Sequence, residues 1–356
     1  MNEKVIMAMS GGVDSSVAAA ILKEQGNEVI GISLKLWDYS FNTDGRSGTC
    51  CSLDDISDAR RVAEKIGIPF YALNMEKEFK EEVIDYFVGE YMRGRTPIPC
   101  TLCNQKLKFD HLLEKAEAYG FDYVATGHYA AIYRHESGRL TVKRGKDSTR
   151  DQSYFLFNLS QEQIARVMFP LAEIEKTEVR KIAESLGLGV AGKSESHEIC
   201  FIPDNDYSKF IAGRVNGDSF RPGNIVDSEG NILGKHKGFP AYTIGQRKGL
   251  DLGGLSGPRY VTAINPEKNE ITVGEKSDLY AVEFFVEGMN WYLEPEGPFD
   301  AEAQIRYRHT PVPARIEPQG KSRARVLMEV PQTAITPGQA AVFYRDDYIV
   351  GGGWIE

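Results

Sequence analysis

The sequence lacks what a membrane or secreted protein would carry. No apolar run approaches the roughly 20 residues of a helical span, and no secretory leader pattern precedes the first strand-like segment. A cytoplasmic protein is therefore expected. Cysteine is scarce: five in 356 residues, an odd number without the dense spacing of a disulfide scaffold. In a reducing compartment such residues serve as thiols or ligands, not staples. Positive charge is also short. Lys and Arg total 42 against 51 Asp and Glu, for a formal charge of −9. Neither the part before residue 205 nor the part after it is basic, so any polyanion must be held by local patches. Internal repeats and low-complexity tracts are absent too, which excludes a solenoid.

What is present is a globular composition, 42% hydrophobic and 26% charged, on a chain long enough for two or three domains. The apolar run Val5–Met9 leads into Ser10-Gly11-Gly12-Val13-Asp14-Ser15-Ser16, and a helical stretch through Leu22 follows, closed by Gly26. A glycine-rich turn between a buried strand and a helix brings backbone N–H groups and a positive dipole end to an anion. No Gly-Lys-Ser/Thr follows, so this is not the P-loop of kinases and GTPases.

Strand and helix signals alternate from here. Strands are expected at 28–37, 69–74 and 123–127, and helices at 55–66, 79–92 and 106–119. This pattern predicts an α/β fold with a doubly wound parallel sheet, its ligand at the carboxyl ends of the strands. The glycine loop, the region of Leu34, and Thr126-Gly127-His128 all fall there. A hairpin around Gly138 and helices at 161–168 and 176–186 come next. Beyond about residue 205 turn and strand signals dominate. A first domain at 1–205, a small β-rich domain at 206–278 and a C-terminal β-barrel at 279–356 are expected. Local basic patches lie at Lys143, Arg144, Lys146 and Arg150, and over Arg306 to Arg325; across 301–325 the only acids are Glu302 and Glu317.

The thiols carry the second signal. Pro99-Cys100-Thr101-Leu102-Cys103-Asn104 reads as a loop before a helix, and a helix N-terminus makes a thiol at Cys103 reactive. Cys200 lies far along the chain. Two thiols on a chain with an anion loop suggest sulfur chemistry, one thiol carrying a persulfide and the other assisting its release. Other features have plainer readings. Cys50-Cys51 reads as small apolar residues before a helix, His111 as structural, and Trp291 and Tyr292 as barrel core. Gln246-Arg247-Lys248-Gly249 fits either a phosphate contact or a surface turn.

Ser10–Ser15 resembles the pyrophosphate loop of the ATP pyrophosphatase superfamily, which cleaves ATP between its α- and β-phosphates. Seven blocks then occur in register: Ser10–Ser16, Cys50-Cys51-Ser52, Pro99–Asn104, Ala125–Tyr129, Asp151–Phe155, Glu198–Phe201 and Tyr242–Gly249. Together they resemble the tRNA 2-thiouridylase family, over the whole chain. The resemblance implies an adenine nucleotide alpha hydrolase-like sheet. It implies that Ala8, Met9, Ser10, Gly11, Gly12, Val13, Asp14 and Ser15, with Leu34 and Gly127, meet ATP and its Mg²⁺. It makes Cys103 the nucleophile and Cys200 the persulfide carrier, with a transient disulfide between them. Ile98, Pro99 and Cys100 would meet the target base of the tRNA anticodon stem-loop. His128, Arg150, Asp151, Gln152, Arg306, Tyr307 and Gln339 would contact the tRNA. A persulfide sulfur-donor protein is the other implied partner, and no membrane is involved.

One residue departs from the family pattern. Many members carry Asp where this chain has Cys100. Either that thiolate replaces the carboxylate, or Cys100, Cys103 and Cys200 ligate a [4Fe–4S] cluster with one open iron. Two rival functions remain at this level: an amide- or C–N-forming enzyme of the same superfamily, which would not need the thiols, and a non-catalytic RNA-binding protein.

Overall fold

The computed structural model describes residues 2–37, 52–193, 199–202, 206–215, 220–253 and 257–356. It divides into two compact units. The first comprises Met1–Val83, Pro99–Asn205 and Asp346–Ile349; the second comprises Ile84–Ile98, Asp206–Arg345 and Val350–Glu356.

The first unit is built on a five-stranded sheet with Phe70–Asn74, Glu28–Lys35, Lys4–Ala8, Tyr123–Ala125 and Val167–Met168 side by side. All four pairings are parallel. Helices cover the central strand on both faces, so Val5, Ile6 and Met7 are fully buried, as an uninterrupted apolar run in a parallel sheet requires. The expected doubly wound architecture is therefore present. The helix Val13–Glu24 leaves the end of the central strand and buries Val17, Ala18 and Ala19. The helix Leu53–Ile66 starts in a capping box between Ser52 and Asp55 and stops at Gly67 with φ +71°. The hairpin Ala130–Arg134 and Leu140–Arg144 turns at Gly138, as its spacing predicts.

The second unit contains two β-structures. A four-stranded sheet sets Tyr260–Asn265, Glu270–Gly274, Gly223–Val226 and Ile232–His236 in that order, over a core of Ile225, Phe239, Val261, Ile271 and Val273. A six-stranded barrel follows. It runs through Tyr280–Trp291, Arg323–Thr333, Val312–Pro318, Phe299–Gln304, Ala340–Arg345 and Tyr348–Ile355, and closes where Val286 pairs with Ile355. Closure leaves no open edge. The alternation expected at 324–328 holds: Ala324, Val326 and Met328 point inward. That expected at 303–307 stops at Gln304, whose buried amide turns back to the carbonyls of Arg306 and Tyr307 and ends the strand. Tyr292 is buried, as expected, and Trp291 packs edge-on to Phe299. No helix among the described residues is long and apolar enough to cross a membrane.

Candidate active site

The glycine loop sits at the carboxyl end of the central strand, where a parallel sheet presents its ligand site. Its shape is held from within. Ser15 Oγ accepts from Ser10 N at 3.1 Å and donates to the Gly12 carbonyl at 3.2 Å; Ser16 Oγ donates to the same carbonyl at 2.8 Å. Two glycines are there because nothing larger fits. Gly11 has φ +72°, and a Cβ on it would lie 2.2 Å from the Asp55 carbonyl oxygen. A Cβ on Gly127 would lie 2.7 Å from Ser15 N. The Thr126-Gly127 turn thus packs directly on the loop backbone. Leu34 and Met9 are buried beside it; Ser10 remains exposed and Asp14 half-buried.

Two lysines invisible to motif reading hold this loop. Lys176 Nζ donates to both Asp14 carboxylate oxygens, at 2.8 and 2.7 Å, and the Tyr129 hydroxyl donates to Asp14 Oδ1 at 2.6 Å. Lys176 opens the helix Lys176–Ser185, an end where the dipole disfavours a cation. That mismatch is the one signal the sequence offers. Lys193 Nζ donates to the Gly11 carbonyl at 3.2 Å and to Asp58 at 2.7 Å, and also to Asp55. Burial alone would lower the Lys193 ammonium, but its bonds to Asp55 and Asp58 outweigh that and hold it above its ordinary value.

The thiols differ from expectation in one respect. Pro99–Asn104 is not a loop. A helical turn Pro99–Leu102 runs straight into a π-helical stretch Cys103–Asp110 and then into the helix His111–Ala118. Pro99 supplies the ready-made first residue, since it has no N–H to leave unsatisfied. Cys103 is therefore not at a helix N-terminus as expected but at the junction of the two stretches, and π turns often mark functional sites. Cys100 is exposed, Cys103 and Cys200 are half-buried, and all three are thiols outside any disulfide. Ile98 and Pro99 are buried. The segment around Cys200 is anchored by Phe201, packed edge-on to Phe79 at 5.6 Å. No three His, Cys, Asp or Glu side chains converge among the described residues, so Cys100, Cys103 and Cys200 do not form a cluster cradle here. Cys50, Cys51 and Glu198 lie outside the described residues.

His128 is 7% exposed, wedged between Phe109 and Phe169, with Nδ1 2.7 Å from Thr126 Oγ1. Burial, and secondarily the charge of Lys108, pushes its pKa well below 6.5, so the ring is neutral near neutrality. The unfolded chain binds a proton below pH 6.5 that the folded chain refuses, so stability falls as pH falls. Thermal melts will therefore drop more steeply for the wild type than for His128→Gln as pH falls from 6.5. The difference reaches at most about 1.4 kcal/mol per pH unit. Parallel curves would refute a neutral buried imidazole.

The remaining sequence-derived candidates fall in two places. Asp151 receives Ser153 Oγ at 2.8 Å, Gly145 N at 3.3 Å and Arg144 Nη1 at 3.2 Å. Burial raises its carboxyl, while Ser153 and Arg144 oppose the rise. Its carboxylate thus shapes the turn that presents Arg150. Gln152 Oε1 accepts from Tyr129 N at 3.1 Å. In the second unit Arg306 is exposed and Tyr307 half-buried on the turn that Gln304 holds. Gln339 Nε2 donates to the Thr96 carbonyl at 2.8 Å, and Thr96 N to the Pro337 carbonyl at 2.8 Å. Arg95 reinforces this clamp through Glu287 at 2.8 Å and the Ile355 carbonyl at 3.2 Å. Arg95 escaped sequence reading because Glu287 and Ile355 are distant from it in the chain.

Family comparison agrees with this layout. The model described as the tRNA methyl transferase HUP domain matches residues 3–204. The tRNA methyl transferase PRC-barrel domain matches 208–275, and the aminomethyltransferase beta-barrel domain 281–355. A 4-thiouridine synthetase solved with RNA and ATP is similar at TM-score 0.36 and 16% identity, over 61% of this chain and 51% of that one. The chain is 52% identical to the tRNA-specific 2-thiouridylase MnmA of Geotalea uraniireducens, over 99% of its own length and 95% of the relative's. It is 50% identical to the tRNA-specific 2-thiouridylase MnmA of Carboxydothermus hydrogenoformans, over 99% and 98% of the two lengths. Half of all residues are thus shared along nearly the whole of both chains, and the chain belongs to the tRNA-specific 2-thiouridylase family.

Proposed function

We propose that this enzyme uses ATP to replace the 2-oxygen of the tRNA wobble uridine by sulfur, releasing AMP and pyrophosphate. The observation that supports this most is the pairing, in one unit, of a lysine-free anion loop with Cys103 at the start of a π-helical stretch. A loop that cradles pyrophosphate as leaving group suits adenylyl transfer. The uridine oxygen attacks the α-phosphorus, pyrophosphate departs, and the 2-carbon now carries AMP as its leaving group. The backbone N–H groups of the loop from Gly11 to Asp14 would face the phosphates, with Leu34 and Gly127 beside the nucleotide. Lys176 adds the nearest buried cation. Mg²⁺ would arrive as part of the MgATP substrate and would spread the charge of the departing pyrophosphate.

Sulfur enters from a donor protein as a persulfide on Cys200. The Cys103 thiolate attacks Cys200 Sγ, a disulfide forms between them, and hydrosulfide leaves. Hydrosulfide adds to the activated 2-carbon and AMP departs. An external dithiol then reduces the disulfide. Nothing in this sequence of steps needs a cluster. Cys100, exposed on the same helical turn as Cys103, stands at the target base with Ile98 and Pro99. The base must leave its stack to reach it. Residues 1–205 would hold the chemistry, and 206–278 and 279–356 would grip the RNA.

The test is a thiolation assay on undermodified tRNA after anaerobic purification, with iron and acid-labile sulfide measured on the same sample. Active enzyme without iron supports the persulfide route. Thiolation retained by Cys200→Ser would refute it. The grip on RNA has its own prediction. Arg306→Ala will weaken tRNA binding and reduce the slope of log K against log salt by about 0.7–0.9, leaving ATP affinity unchanged. An unchanged slope would remove Arg306 from the phosphate contacts.

A further inference from the structure

Tyr129 lies between two segments that the reading above gives to different substrates. Its hydroxyl donates to Asp14 Oδ1 on the ATP loop at 2.6 Å. Its backbone N–H donates to Gln152 Oε1 at 3.1 Å, and its carbonyl accepts from Gln152 N at 3.0 Å. Tyr129 is 3% exposed, so neither contact is readily exchanged for water. A second route runs in parallel. Asp147, three residues before Arg150, accepts from the backbone N–H of Lys176 at 2.9 Å and so caps the helix whose first side chain grips Asp14. Asp147 also accepts from Thr149 Oγ1 at 2.6 Å, and its carbonyl accepts from Arg150 N at 3.0 Å. Packing admits little slack, since a Cβ on Gly145 would meet the Tyr129 carbonyl carbon at 2.9 Å.

Asp14 is therefore held by two groups, and both are fixed by the segment 147–152. We propose that Tyr129 and Asp147 are positioning residues that couple tRNA engagement to nucleotide binding. A tRNA that orders Arg150–Gln152 sets Tyr129 and the start of the Lys176 helix, and these in turn set the Asp14 carboxylate. By linkage, each substrate then raises the other's affinity by one common factor. The consequence is that ATP is committed only when tRNA is present. This inference rests on the assignment of Asp14 to ATP and of Arg150–Gln152 to tRNA.

The experiment measures equilibrium binding of a non-hydrolysable ATP analogue with and without undermodified tRNA, and of tRNA with and without the analogue. For the wild type we expect a reciprocal gain of at least about five-fold. Tyr129→Phe removes only the hydroxyl. It will cut the gain to below about two-fold, a larger loss than any it causes in analogue affinity without tRNA. Asp147→Ala, which cuts the second route, will reduce the gain independently, and it serves as the test if Tyr129→Phe fails to fold. A wild type with no mutual gain, or variants that keep the full gain, would overturn the coupling. Loss of tRNA-dependent AMP release in the wild type would instead overturn the thiouridylase reading.

Discussion

Cys103→Ser will stop thiolation, by at least about a thousandfold, while tRNA-dependent release of pyrophosphate continues and AMP stays on the tRNA as the adenylate. In the mechanism proposed above, the two halves of the reaction use different groups. Adenylation needs the loop from Ser10 to Ser15 and its lysines, none of which touches sulfur. Release of sulfur from Cys200 needs an attacking thiolate, and a serine hydroxyl is protonated at neutral pH and a far poorer nucleophile towards sulfur. Cys103 is the fifth residue of the helical run that opens at Pro99, at the junction where the π-helical stretch begins. The persulfide should then accumulate. In the presence of a sulfur donor, mass spectrometry of Cys103→Ser will find one extra sulfur on Cys200, whereas the wild type will find it discharged by adenylated tRNA. Cys200→Ser will fail at the preceding step and carry no sulfur. Thiolation undiminished in Cys103→Ser would assign the attack to another group, with Cys100 the nearest candidate on the same turn.

Lys176→Met will lose roughly a hundredfold in kcat/KM for ATP, corresponding to about 3 kcal/mol. Lys176 is 6% exposed and its Nζ reaches both oxygens of Asp14. Removing it strands a half-buried carboxylate beside a site meant for phosphate, so an attraction is replaced by a repulsion. Part of that loss is structural, and the double variant Asp14→Asn/Lys176→Met separates the parts. With both charges gone, stability will return towards wild type, because the buried pair itself contributes little net stability once its desolvation is counted. Turnover will not return, because on the proposed reading Lys176 also serves the phosphates and is still missing. Melting temperature and AMP release measured on both variants check this. A double variant that recovers AMP release would reduce Lys176 to a structural counter-ion.

Local pattern carried much of this protein. The apolar run Val5–Met9 followed by two glycines made a buried strand and an anion loop. The strand and helix periods made a parallel sheet, since each side chain's face follows from its own position in the chain. The barrel was legible in the same way, through the inward Ala324, Val326 and Met328. Cys103 and Cys200 were legible as residue types, because few thiols and a lysine-free loop leave few other chemistries.

Boundaries and partners were not. The helix at Pro99 was read as a loop because a Pro-Cys-Thr-Leu-Cys stretch has no helical period to detect over four residues, and its continuation is π-helical. Lys176 and Lys193 belong to no local motif. They lie 162 and 182 residues from the loop groups they grip, Asp14 and the Gly11 carbonyl. The sequence by itself determined which local shapes form and that ATP and sulfur chemistry meet on one chain. Only the tertiary structure decided which cations hold the loop, that Tyr129 bridges Asp14 to Gln152, and that His128 is buried and neutral. Those are properties of distance and solvent exclusion. Both arise when the chain closes on itself, and neither leaves a period or a spacing in the sequence.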